Sequence, residues 1–342
     1  MLTTYDFIEQ NKRRTWLLVL LFPVTFALLG FLFLFCFTHL TSDTTSVSSP
    51  TASYQTGTVS YTEPTPLEQT IAMAAWALPG LWLLAVLWIV ISYFCGDQLL
   101  LHGAGAIEID KDSQPEIFRL VENLCIASGL PLPRIYLIND NSLNAFATGR
   151  DPEHASVALT VGIVRRLERA ELEGVIAHEL SHIKNRDIRL MLITVAGISF
   201  FTFLAEMCFR AALRVRVSRN NKNEGGARLL LFLLGVFFAI YGYLIAPLIR
   251  LAVSRTREYQ ADASAALMTR NPGALARALQ KISGDPRVEA LDKHASMAAM
   301  CIANPLEKMG LFSSISGLFA THPPIENRIM KLRIMDADVL KS

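Results

Sequence analysis

Residues 177–182 read Ala177-His178-Glu179-Leu180-Ser181-His182, an HExxH pattern within a stretch that is charged at both ends and more apolar in its middle. That stretch predicts one long helix over Arg169–Arg189. Residues four apart on a helix share a face, so both imidazoles can reach one cation. Glu179 sits one position round, within reach of a water on that cation. Zinc lowers the pKa of such a water toward ~7, and a carboxylate can take its proton as hydroxide attacks a peptide carbonyl. The competing reading is a polar helix face with two hydrogen-bonded histidines. Chance rarely supplies both histidines and the base at this spacing.

Two histidines and a water leave such a site one protein ligand short. A metzincin would supply Gly and His further along the same helix. Asn185 and Ile188 stand there instead, which excludes that class. The best third ligand is Glu258, in Ser254-Arg255-Thr256-Arg257-Glu258-Tyr259-Gln260-Ala261-Asp262. Asp262, four residues on, shares its helical face and can accept a hydrogen bond from a ligating imidazole. Taken alone, Glu258 would read as a surface partner of Arg255 or Arg257.

Between the two motifs lie apolar runs at 190–209 and 229–249. His182 stands about eight residues before the first and Glu258 about nine after the second, both roughly 12–14 Å from a membrane edge on the same side. An apolar hairpin would therefore set the two ligand helices side by side. Its loop carries Arg210, Arg214, Arg216, Arg219, Lys222 and Arg228 against Glu224 alone. Full crossing puts this loop outside, against the positive-inside rule. The hairpin either crosses under constraint from the flanking domain or dips in without crossing.

Two earlier runs, 16–37 and 71–95, are long enough to span ~30 Å of hydrocarbon. Lys12, Arg13 and Arg14 precede the first, and the segment 38–69 between them has no Lys or Arg. The charge asymmetry puts the N-terminus and the chain after Gly96 in the cytosol. The first run is too long for a cleaved signal peptide. Short strands are predicted at Arg134–Ile138 and Ala155–Thr160, and helices at Glu258–Thr269, Ala274–Ile282 and Ile325–Leu340. Of 342 residues 52% are hydrophobic and 18% charged, with net charge +2, which excludes a strong general pull toward nucleic acid. Five cysteines without a CxxC read as reduced structural thiols. His39, His102, His154 and His294 are isolated, and Asp187 is read as structural.

These residues resemble the HtpX-type membrane metallopeptidases, relatives of the CaaX prenyl proteases. The likeness rests on Asn11-Lys12-Arg13-Arg14, Asn144-Ala145-Phe146-Ala147-Thr148-Gly149, HExxH, Arg257-Glu258-Tyr259-Gln260-Ala261-Asp262, and Thr321-His322-Pro323-Pro324 followed by Arg328. It implies a gluzincin-like fold, one zinc ion on His178, His182 and Glu258, and Glu179 as general base. It further implies His322 and Arg328 as donors to the developing oxyanion, or His322 on the metal's open position at rest. Ala155, Ser156 and Val157, with Asn144 upstream, resemble the family's edge strand, which an extended substrate could join.

The expected architecture is an α+β membrane protein. A mostly helical, gluzincin-like metallopeptidase domain with a small β-sheet is attached to two N-terminal spans and an apolar hairpin. Its parts are 1–96 (membrane), 97–189 and 251–342 (the two halves of a cytosolic metallopeptidase domain) and 190–250 (hairpin). The expected activity is zinc-dependent endopeptidase action on damaged or misfolded membrane proteins at the inner membrane, a stress-response role. Expected partners are protein or peptide substrates and the lipid bilayer, with no nucleic acid and with oligomerisation left open. A site-2-type protease would bury HExxH in a span, whereas Lys184-Asn185-Arg186-Asp187 follow it here. A prenyl-protein processing peptidase and an inactive membrane scaffold are the remaining rivals; Glu179 argues against the scaffold.

Overall fold

A computed structural model describes residues 65–214, 228–242, 255–284 and 323–339, strands at 51–55 and 58–62, and scattered positions between 13 and 38. The chain divides into a unit of residues 17–90 and a unit of residues 1–16 with 91–342. In the smaller unit, strands β1 (Thr51–Gln55) and β2 (Thr58–Thr62) form an antiparallel hairpin with Thr51 opposite Thr62. Positions 24, 27, 28 and 30–35, within the expected first span, are helical.

Helix α1 (Pro66–Gly103) starts in that unit and ends in the larger one. Its start is a reciprocal cap: Thr65 N–H donates to Glu68 Oε2 at 2.8 Å and Glu68 N–H to Thr65 Oγ1 at 3.3 Å. No charged residue lies between Glu68 and Asp97. At ~1.5 Å per residue the helix is roughly 57 Å long. Its most apolar window is only 12% buried. The helix runs past the expected limit of the membrane region because Leu101 and Ala104 find a buried core beyond it.

The larger unit is built on a mixed four-stranded sheet, order β3-β4-β6-β5: β3 (Ala106–Ile109), β4 (Arg134–Ile138), β5 (Ala145–Gly149) and β6 (Ala155–Thr160). β4 and β6 are parallel, and the outer pairs are antiparallel. Side chains alternate between faces along each strand. Ile135, Val157, Leu159, Ala145 and Ala147 join one core with α2 (Pro115–Ser128), α4 (Arg169–Lys184) and α8 (Pro272–Gly284). Tyr136, Ile138, Phe146 and Ala158 join another with Leu101 and Ala104, at and just beyond the end of α1, and with Met191 and Val195 near the start of α5 (Asp187–Arg214). The short α3 (Val161–Arg166) follows β6, and its Gly162 packs under the Asn141–Ser142 turn.

β6 pairs on both sides, so Ala155, Ser156 and Val157 are not in the edge strand the resemblance implied. The edge is β5, which Asn144 immediately precedes. Alternation alone cannot say which strand of a mixed sheet is terminal.

Helix α4 is held from both ends. Glu171 closes a capping box with Glu168 and receives Lys281 Nζ from α8 at 2.7 Å. Gly174 lets α8 come close, for a Cβ there would lie 3.1 Å from Leu275 Cβ. Gly273 N–H donates to Asp336 of α9 (Ile325–Val339) at 3.1 Å, tying α9 to the start of α8. Helix α5 and helix α6 (Arg228–Gly242) run antiparallel: Gly235 makes room for Phe209, and Gly242 for Phe201. Helix α7 (Arg255–Thr269) packs on α4 and carries the second motif. Among the described residues, α1 and α5 are the helices long and apolar enough to cross a membrane.

A Cβ at Gly162 would lie 2.1 Å from the Asn141 carbonyl oxygen, a backbone atom that cannot swing away. Gly162→Ala should therefore cost about 3 kcal/mol, seen as a lower thermal unfolding midpoint. Gly80→Ala, where nothing lies within 4 Å of the added carbon, should leave the midpoint within error.

Candidate metal centre

The expected helix over Arg169–Arg189 breaks. α4 ends at Lys184, Arg186 takes a left-handed φ of 58°, and α5 begins at Asp187. The break turns the chain back on the motif. On a continuous helix Asp187, five residues beyond His182, would point away from it. Here Asp187 Oδ2 lies 3.1 Å from His182 Nδ1.

α4 and α7 pack side by side and bring three ligand atoms together. His178 Nε2 and His182 Nε2 are 3.2 Å apart, and each lies 3.7 Å from an oxygen of Glu258. These atoms all fall within 4.8 Å of one another, the only such metal-ligating group among the described residues. The two imidazole rings stand at 89°. His178, His182 and Glu258 are all buried.

Each imidazole is held from behind. His178 Nδ1 is 3.0 Å from Asp262 Oδ1, and Asp262 in turn receives two bonds from Arg328, Nε at 2.8 Å and Nη2 at 2.7 Å. His182 Nδ1 meets Asp187, whose other oxygen lies 3.2 Å from Arg257 Nη1. A proton on each Nδ1, donated to its carboxylate, leaves the Nε2 lone pairs facing each other and Glu258. Arg328, wholly buried, also stands 3.2 Å from Glu258 Oε2. Its guanidinium thus faces two carboxylates, and Nη1 makes no hydrogen bond among the described residues.

The charge balance tests whether a metal fits. Glu179, Asp187, Glu258 and Asp262 bring four buried carboxylates, and Arg257 and Arg328 two buried guanidinium groups. The difference of two negative charges, among buried side chains, matches a divalent cation. With no cation bound, the same field draws onto His182 Nε2 a proton that a metal would displace. Burial lowers its proton affinity, yet the Asp187 hydrogen bond and the charges of Glu258, Asp187 and Glu179 outweigh that and lift its pKa to about 9. Burial likewise pushes the Asp262 pKa up, but Arg328 and His178 bring it below the usual carboxylate value.

Of the residues expected from the sequence, the structure brings together His178, Glu179, His182, Glu258, Asp262 and Arg328. It places Asn144 at the head of β5 and puts Ala155, Ser156 and Val157 one strand further in. His322 lies outside the described residues. Asp187 and Arg257 were missed as holders of His182; the signal for Asp187 was a carboxylate just past a motif followed by Asn185, a poor continuer of a helix.

Peptidase family M48 matches residues 111–336. A Protease HtpX homolog of Bacteroides fragilis is 38% identical over 322 residues, covering 94% of this chain and 95% of the relative. One from Ligilactobacillus salivarius is 46% identical over 231 residues, 67% of this chain and 76% of its own. One from Thermoanaerobacter pseudethanolicus is 34% identical over 336 residues, 97% of each. The crystal structure of S. mikatae Ste24p overlays with a TM-score of 0.44 at 20% identity, over 73% of this chain and 57% of that one.

Replacing a carboxylate behind a ligating imidazole typically weakens metal binding 10- to 100-fold. Asp187→Asn and Asp262→Asn should each show about such a loss in competition with a chelator. Glu258→Ala should lose the metal outright on elemental analysis. Full occupancy in Glu258→Ala would place the third ligand elsewhere.

Proposed function

The chain belongs to peptidase family M48 and is a metallopeptidase; from that premise we propose that it is a zinc endopeptidase which cuts damaged or misfolded membrane proteins at the cytosolic face of the inner membrane. The observation that carries the reading is the meeting of His178, His182 and Glu258 in a buried site two charges short of neutrality. Two imidazoles and one carboxylate, with a fourth position open, are the ligand set of catalytic rather than structural zinc.

Zinc on these three residues would acidify a bound water and polarise the scissile carbonyl. Glu179, buried between the two histidines in sequence, is the group that takes the water's proton on its carboxylate and passes it to the departing amide nitrogen. Asp262 with Arg328, and Asp187 with Arg257, hold the two imidazoles in the tautomer and orientation that binding needs. His322 and Arg328 are the candidates for donating to the oxyanion.

The outer edge of β5, the terminal strand of the sheet, is where an extended substrate would add as a further strand, with Asn144 at its head. Main-chain bonding of that kind tolerates many sequences, as a protease of misfolded chains requires. Location in a gluzincin-like domain on membrane spans is supported by α1 and α5, each long and apolar enough to cross.

The purified full chain in detergent should cleave casein, lose activity to a chelator and regain it with zinc. Glu179→Gln should keep its zinc and lose at least about a hundredfold in rate. Turnover by this variant at the wild-type rate would remove Glu179 from the chemistry.

A further inference from the structure

Away from the metal, four side chains from three segments meet where both long apolar helices lose their apolar character. Tyr93 and Phe94 end the uncharged stretch of α1, three or four residues before Asp97. Arg189 sits in the first turn of α5, just before an uncharged run that lasts until Glu206. Arg150 directly follows β5. Arg189 lies over the Tyr93 ring at 5.8 Å and Arg150 over the Phe94 ring at 5.5 Å, while the two rings stand edge to face at 5.1 Å. Arg189 Nε donates to the Arg150 carbonyl at 2.7 Å, which locks the two segments together.

Charge at this corner is not balanced. Arg134, at the same end of the sheet, is neutralised by Asp97 at 2.8 Å. Arg150 meets only Asp151, at 3.6 Å, and Asp151 is taken more closely by His154 at 2.6 Å. Arg189 has no carboxylate within 4.0 Å among the described residues. Both arginines are partly exposed, and Phe94 is 57% exposed. Tyrosine rings and arginines at the ends of apolar helices belong at the headgroup level of a bilayer. A planar guanidinium fork bonds phosphate oxygens in pairs, and a ring beneath it keeps the fork facing outward.

We propose that Arg150 and Arg189, seated on Phe94 and Tyr93, form a binding site for the phosphate of an anionic phospholipid where the peptidase domain meets the bilayer. The proposal rests on the membrane reading above. It gives lipid a direct hold on the first turn of α5, two residues after the Asp187 that fixes His182.

The test is thermal unfolding of the full-length protein in non-ionic detergent, titrated separately with phosphatidylglycerol, phosphatidylcholine and inorganic phosphate, with casein cleavage measured alongside. Phosphatidylglycerol at about tenfold over its dissociation constant should raise the midpoint by about 2 °C, and phosphatidylcholine should not. Arg150→Gln/Arg189→Gln should lose the shift, whereas Arg210→Gln, at the other end of α5, should keep it. If the double variant does not fold, Arg150→Gln alone should show a weakened shift, since its guanidinium meets only Asp151 in the protein. An equal response to both lipids, an equal response to inorganic phosphate, or an undiminished shift in the variants would overturn the site. Casein cleavage without any phosphatidylglycerol shift sinks the lipid site and leaves the peptidase reading standing. A shift without cleavage does the reverse.

Discussion

The constraint on which the structure turns is the gathering of four buried carboxylates around one point. Like charges this close in a low dielectric repel strongly, and no hydrophobic core tolerates them unaided. Two guanidinium groups recover part of the cost, each set where a carboxylate must also hold an imidazole. Arg328 bridges Asp262 and Glu258, from two turns of α7. Arg257, next to the ligand Glu258 in sequence, reaches across to Asp187 at the start of α5. The remaining deficit is what makes the site a trap for a divalent ion. Removing one arginine would leave a buried carboxylate uncompensated, so these residues support the fold and the metal together.

This requirement explains features of the fold that look unrelated to chemistry. α4 must present both histidines at one depth and stay rigid, hence its burial along nearly its whole length and its clamp by Glu171 and Lys281. Gly174 lets α8 lie against it without a spacer. The break at Asn185–Arg186 costs strain at a non-glycine residue in the left-handed region. In return it swings Asp187 onto His182 and starts α5 in a new direction.

The chemistry was legible in the sequence to the extent that it was local or had fixed helical spacing. His178, Glu179 and His182 follow from one pattern, and Glu258 with Asp262 from a second pair four apart. β4 and β6 were legible from β-branched and aromatic content. β3 and β5 were not. Ala145–Gly149 contains little but small residues, and its strand state comes from pairing with β6 rather than from propensity. Its place at the sheet edge is a long-range fact that no local window contains. The break before Asp187 escaped for a similar reason, since the hydrophobic period runs on through it while the backbone does not.

The same break ties the metal site to the start of α5. From His182 to Arg189 the chain passes through a metal ligand, the carboxylate that orients it, and the arginine that stacks on Tyr93, all within eight residues. A segment this short cannot absorb a displacement at one end without passing it to the other, because its two flanking helices are packed on opposite faces of one sheet. The sheet carries β5, the strand a substrate would join, between those same two layers. The position of the start of α5 and the geometry of the metal site are therefore one mechanical variable.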